Sequence, residues 1–267
     1  METNVLKEKS DYGNWVSLTG IRILYAACII VAVMMAAGFY FLHRPYILYT
    51  GIVSLLMLIT CLIYSHWCRG RLSFTGGRLI EKSQKFLIDH LFWDGQGNLL
   101  DVGCGNGSLS VMCARRYEDS RVMGVDSWGK EWEYGKNECE TNASIEGLSL
   151  RMNFKHEELS HLSFTDESFD AVVSSFAFSK DRSVSEKKDL ITESLRVLKK
   201  GGSFAFQDKF AFARYYGDME HLVDELKASG ITEVHYMRNA EKICGFIPLL
   251  MFMPWMFGGT GLLYGVK

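Results

Sequence analysis

Leu99-Leu100-Asp101-Val102-Gly103-Cys104-Gly105-Asn106-Gly107-Ser108 decides how this chain folds. A short apolar run ending in an acid reads as a buried strand, and three glycines at every second position let the backbone turn sharply into a helix without Cβ clashes. In an open α/β sheet such a turn lies outside the carboxyl end of a strand, where cofactors dock. A dinucleotide fingerprint needs G-x-G-x-x-G. Here the third glycine comes one residue early, at Gly107, and Ser108 holds the later position. That spacing argues against a nicotinamide site.

The neighbouring segments agree with a cofactor site. Arg121-Val122-Met123-Gly124-Val125-Asp126 forms a second short strand ending in an acid. A carboxylate there can accept both hydroxyls of a ribose; its alternative reading is the N-cap of the next helix. Together these segments resemble motif I of the class I S-adenosylmethionine-dependent methyltransferases, in which an acid precedes a G-x-G-x-G turn.

The rest of the sheet unit follows the same resemblance. Arg78 to Trp93 has helical spacing, Ser108 to Tyr117 and Lys130 to Glu146 read as crossover helices, and a strand is expected around Leu150 to Phe154. Phe164 to Phe178 is similar to the family's acidic turn, phenylalanine-aspartate pair and apolar strand, here Ala171 to Ser175. Leu190 to Lys200 is expected to be a helix capped by Gly201-Gly202, with a strand at Ser203 to Phe206. This Leu-Arg-Val-Leu-Lys-Lys-Gly-Gly run at 195 to 202 resembles the branch containing the ubiquinone and menaquinone C-methyltransferases. Met219 to Ser229 is a further helix, Thr232 to Met237 a sixth strand and Gly261 to Val266 a last one. The expected fold is α/β, a Rossmann-like sheet of seven strands with the last antiparallel, preceded by two transmembrane helices.

The resemblance also implies site residues. Asp101, Gly103, Cys104, Gly105 and Gly107 would line the methionine side of S-adenosyl-L-methionine, and Asp126 with Ser127 the ribose. Glu158 with Leu159 would meet the adenine, and Ser175 with Phe176 would lie beside the sulfonium. Trp128 either flanks the adenine or is a structural tryptophan. Methyl transfer from a sulfonium is an in-line displacement in which a base is optional. Base candidates are Asp208, His156, His161 and Tyr215 or Tyr216; Lys180 stands where many members of the family have histidine. Amino-methylating members often carry an N-P-P-Y-like segment, whereas this chain has Ser174-Ser175-Phe176-Ala177.

Composition narrows the partners. With 29 basic against 31 acidic residues there is no basic field for nucleic acid. The seven cysteines form no C-x-x-C pair, so neither a disulfide framework nor a metal site is expected. After a polar segment, 1–22, come two charge-free apolar runs, Ile23 to Leu42 and Tyr46 to Trp67, separated only by His43-Arg44-Pro45. Each is long enough to span a bilayer, and together they read as a hairpin over 23–67. A cleaved signal peptide is the alternative for the first. Lys7, Lys9 and Arg22 precede the pair and Arg69, Arg71 and Arg78 follow it, which places both termini and the 74–267 methyltransferase domain in the cytoplasm. The expected protein is an integral membrane enzyme with a small, apolar or lipid-like acceptor; the alternatives are a thiol or xenobiotic methyltransferase and a non-catalytic S-adenosylmethionine-binding membrane protein. Its loop 243–259, apolar from Phe246 to Phe257 and interrupted by two prolines, either dips into the membrane surface or packs on the core.

Overall fold

The computed structural model describes residues 9–42, 45–129 and 135–267. The chain divides into two compact units, residues 13–80 and residues 81–267 with the N-terminal segment up to Tyr12. In the first, α1 (Leu18–Leu42) and α2 (Pro45–Leu72) are helices. Stretches of 24 and 27 residues within them are long and apolar enough to cross a membrane. Side chains such as Ile29, Met34 and Ile63 are exposed, so the helices are apolar on more than one face. The Tyr25 hydroxyl and His66 Nε2, 3.0 Å apart, give the two helices a polar link. Both helices outrun the apolar stretches that define them in sequence, reaching back to Leu18 and on to Leu72, because no proline stops them. His43 and Arg44, on the expected turn, lie outside the described residues.

The second unit is a seven-stranded sheet with helices on its faces. In chain order it contains α3 (Leu79–Ile88, whose first turn precedes the division), β1 (Gly97–Val102), α4 (Ser108–Arg116), β2 (Ser120–Asp126), α5 (Lys136–Ile145), β3 (Met152–His156) and β4 (Phe169–Ser175). There follow α6 (Lys188–Arg196), β5 (Leu198–Asp208), the single turn α7 (Ala213–Tyr216), α8 (Met219–Ala228), β6 (Glu233–Met237), the single turn α9 (Ala240–Ile243) and β7 (Gly261–Val266). The strand order is β3-β2-β1-β4-β5-β7-β6. Pairings from β3 across to β5 are parallel, and β7 runs antiparallel to both its neighbours. The order reverses between β1 and β4, the crevice where an open sheet binds ligands.

Period-two alternation feeds two cores. Leu100, Val102, Val172, Phe204 and Phe206 join one face, while Leu99, Ala171, Val173 and Ala205 join the other. Phe178, Phe204 and Phe206 are fully buried, each contributing about 1.5–3 kcal/mol of hydrophobic stabilisation. On the second face α3 is tied down by polar bonds, with Ser83 Oγ donating to Gln207 Oε1 (2.9 Å) and Gln84 Nε2 to Ser108 Oγ (2.7 Å).

The structure corrects some local expectations. Helix α6 stops at Arg196, and Gly201-Gly202 is not its cap but part of β5. Phe169 pairs with Leu198 and Ala171 with Ser203, so the intervening residues of β5 form a bulge. Gly201 there has φ 75°, and a Cβ at Gly202 would lie 2.6 Å from the Leu198 side chain and 2.9 Å from the Asp170 carbonyl oxygen. The third strand begins at Met152 rather than Leu150, which is almost wholly exposed in the preceding turn. Of the expected helix over 130–146, the described part is α5; residues 130–134 lie outside the description.

Candidate active site

The glycine turn is held to the sheet by its own backbone. The amides of Gly103 and Cys104 both donate to the Val125 carbonyl of β2, at 2.8 and 3.0 Å. Gly103 has φ 75°, and a Cβ there would lie 2.1 Å from the Ala177 Cβ, so only glycine fits. Gly105 and Gly107 have φ 58° and 81°, and Gly107 opens α4. The Gly105 amide donates to Asp126 Oδ2 (2.9 Å) and the Trp128 amide to Oδ1 (2.8 Å). Trp128 Nε1 closes back onto the Gly105 carbonyl at 2.7 Å, where Cys139 Sγ also donates. The carboxylate of β2 and the turn after β1 thus form one hydrogen-bonded unit.

Two acids, Asp101 buried and Asp126 half-buried, lie beside this turn. Asp101 is 1% exposed; its Oδ2 accepts from Ser110 Oγ at 2.5 Å. Its Oδ1 is buried with no hydrogen-bond partner among the described residues. Burial, opposed by the Ser110 bond and assisted by the nearby Asp126 charge, raises its pKa to about 7. Burial also raises Asp126, against the pull of the Trp128, Gly105 and Ser127 amides. The Cys104 thiol is pushed well up by burial and by Cys139, so it is a neutral core group.

These groups fit the expected cofactor chemically. A carboxylate offers about four lone-pair sites, so Asp126, engaged by the Gly105, Trp128 and Ser127 amides, keeps capacity for a ribose hydroxyl. The unpartnered Asp101 Oδ1 is an acceptor awaiting a donor. Leu159 is buried, 3.5 Å from the Cβ position at Gly103, whereas Glu158 is exposed and its carbonyl accepts from the His161 amide. Ser175 ends β4; Phe176 follows with φ 54° and donates its amide to the Gln207 carbonyl at 2.7 Å.

At the carboxyl ends of β4 and β5 lies a second polar group. Asp208 is fully buried and accepts from the amides of Ser179 (3.1 Å) and Lys209 (2.6 Å). Burial raises its pKa, countered by Ser179, the Lys209 amide and the Lys180 charge. Lys209 donates its ammonium to the carbonyls of Met256 and Gly258; burial draws it down to about 8 against the attraction of Asp208 and Glu241. Tyr216 is buried beside Asp208, with its phenol pushed well up, chiefly by burial. Of the base candidates, Asp208 and Tyr216 therefore meet. Tyr215 is turned to Arg214, whose guanidinium donates to its hydroxyl at 2.7 Å. His156 ends β3 and is exposed, its ring 6.4 Å from Trp128, and His161 is exposed on the following loop. These histidines do not join the Asp208 group. Sequence reasoning missed Lys209 and Glu241; adjacency to Asp208 was the one available signal for the former, and nothing marked the latter. Among the described residues no group of three or more His, Cys, Asp or Glu side chains is placed to hold a metal ion.

Known proteins are similar to this chain in sequence and fold. Residues 99–202 match the family model described as a methyltransferase domain. The demethylmenaquinone methyltransferase of Bacteroides fragilis is 28% identical over 104 residues, 39% of this chain and 40% of the relative. The sterol 24-C-methyltransferase of Neurospora crassa is 27% identical over 157 residues, 58% of this chain and 39% of that one. The chain thus spans about two fifths of the length of these curated relatives. Geranyl diphosphate C-methyltransferase from Streptomyces coelicolor A3(2), solved with Mg2+, geranyl diphosphate and S-adenosyl-L-homocysteine, superposes with a TM-score of 0.54 at 18% identity, covering 72% of this chain and 80% of that one. The glycine turn, the sheet order and the family match agree: residues 99–202 are similar to a methyltransferase domain, and the sheet has the class I S-adenosylmethionine-dependent methyltransferase fold.

Proposed function

We propose that this chain is a membrane-anchored methyltransferase that moves a methyl group from S-adenosylmethionine to a small apolar or lipid-like acceptor at the cytoplasmic face. The observation that carries the reading is the segment after β6. β6 and β7 are antiparallel, with Met237 opposite Leu262, so their connection turns at the carboxyl edge of the sheet, the cofactor's edge. Within it Met251 and Phe257 are buried, Phe257 against Phe176 with ring centroids 5.9 Å apart. Leu249, Leu250 and Trp255 are exposed, Trp255 by 69%. One side of the segment walls the site, and the other offers apolar surface that lipid solvates better than water. The names of the relatives point the same way: a demethylmenaquinone, a sterol and geranyl diphosphate.

S-adenosylmethionine brings the activated methyl carbon, which passes to the acceptor nucleophile as the sulfonium becomes a thioether. The protein's task is then to bind and orient. Asp101 Oδ1 would hold the cofactor's ammonium, Asp126 its ribose, and Glu158 its adenine amino group. Ser175 and Phe176 would stand beside the sulfonium. Phe257, in the loop expected either to dip into the membrane surface or to pack on the core, packs on the core.

The test is an acceptor screen with labelled methyl groups on the detergent-purified chain. The double substitution Leu249→Ser and Trp255→Ser should raise KM for a lipophilic acceptor about tenfold, about 1.4 kcal/mol, leaving kcat, cofactor affinity and any water-soluble acceptor unchanged. Equal loss toward both acceptor types would assign the segment to packing. A thiol or other xenobiotic acceptor is the second reading. It is favoured because Asp208 is enclosed and hydrogen-bonded and the histidines lie apart, and a thiol needs little help to ionise. The same screen separates the two.

A further inference from the structure

Residues 9–12 of the sheet unit run across α5 and onto the glycine turn. The Asn142 carboxamide pairs with the Asp11 peptide as a neighbouring strand would: Asp11 N donates to Oδ1 at 2.9 Å, and Nδ2 donates to the Asp11 carbonyl at 2.8 Å. The same Nδ2 donates to the Asn106 carbonyl at 3.0 Å, and the Asn106 side chain donates to the Tyr12 carbonyl. One turn further along, Glu146 accepts from Ser10 Oγ and from the Tyr12 hydroxyl (3.0 Å) and pairs with Arg115 of α4. Asn142 is 3% exposed and Asn106 9%. Asn106 is flanked by glycines and bound at both its carbonyl and its side chain. Glycines lose the most freedom on ordering, and fixing a residue's backbone costs about 1–2 kcal/mol. An anchor at Asn106 meets that cost before any ligand arrives.

We propose that Ser10–Tyr12 is a strap that pre-orders the Gly105–Gly107 turn, and that Asn142 is the positioning residue through which it sets cofactor affinity. The inference rests on the cofactor reading of that turn. It is tested by calorimetry with S-adenosylhomocysteine on the detergent-purified full chain. Asn142→Leu, which removes all three hydrogen bonds, should weaken binding about tenfold. Asp11→Pro, which removes one N–H and leaves α5 untouched, should weaken it in the same direction. The double variant should be no weaker than Asn142→Leu alone, as expected of two residues acting through one contact. Linkage requires the converse as well: bound S-adenosylhomocysteine should slow amide exchange at residues 9–12 of the wild-type chain by the same factor. Variants that fold, bind within twofold of wild type and leave exchange at 9–12 insensitive to ligand would reduce the strap to a structural tie. Failure of the wild-type chain to bind would instead remove the cofactor reading, and the strap's role with it.

Discussion

A carboxyl group buried beside a second carboxylate keeps its proton, and Asp101 does so up to about pH 7 despite the Ser110 hydroxyl. Because its folded value lies above the ordinary 3.8, this acid's contribution to folding is greatest in acid and falls as pH rises from 3.8 towards 7. An ammonium brought to Oδ1 would favour the ionised form and draw that value down again. Cofactor binding should therefore release a proton below about pH 7 and tighten by up to about fivefold between pH 6 and 7, with Asp101→Asn flat over the same range. Calorimetry in two buffers of different ionisation enthalpy counts the proton; a wild-type slope equal to that of the asparagine variant would take Asp101 out of the ammonium site. Asp101 and Asp126 were legible in the sequence because each ends or interrupts an apolar strand run. Asn142 was not, because an asparagine within a polar helix carries no pattern and its two partners, Asp11 and Asn106, come from distant parts of the chain.

A lysine ties the connection from β6 to β7 to the end of β5. Lys209 reaches from the end of β5 to the carbonyls of Met256 and Gly258, with Asp208 and Glu241 near its charge. Glu241 in turn accepts from the Gly259 amide at 3.2 Å. Lys209→Met keeps the volume and removes the donor, and stranding buried acceptors costs about 1–3 kcal/mol; thermal unfolding should register that loss while far-ultraviolet dichroism stays unchanged. A variant as stable as wild type would mean that these carbonyls find other donors. The apolar composition of this segment was plain in the sequence, but which of its side chains turn inward was not, since two prolines break any period. The bulge in β5 was hidden for a related reason. Gly201-Gly202 suits a helix cap and a strand bulge equally, because both ask for positive φ. The choice was made by pairing with β4 and with the last strand, whose Lys267 amide donates to the Gly202 carbonyl at 2.9 Å.

Across the whole molecule, seven strands with the last antiparallel followed from alternating strand and helix signals together with the family resemblance, and the two apolar helices from charge-free length. Orientation belongs to the loops. Lys9 and Arg22 precede the pair, and Arg69, Arg71 and Arg78 follow it, so a membrane-impermeant maleimide should reach Arg44→Cys from outside and fail to reach Lys9→Cys or Arg78→Cys. The reverse pattern would invert the proposed topology. The insertion of β7 between β5 and β6 sets a timetable for synthesis. α1 and α2 leave the ribosome about 190 residues before β7 does, so the hairpin is available for insertion while the sheet is still open. β5 then waits about fifty residues for its neighbour, roughly 3–10 s at ordinary elongation rates, and β6 emerges with no strand to pair with. During that interval an unpaired edge rich in phenylalanine is exposed on the nascent chain, and the last strand to be made is the one that closes it.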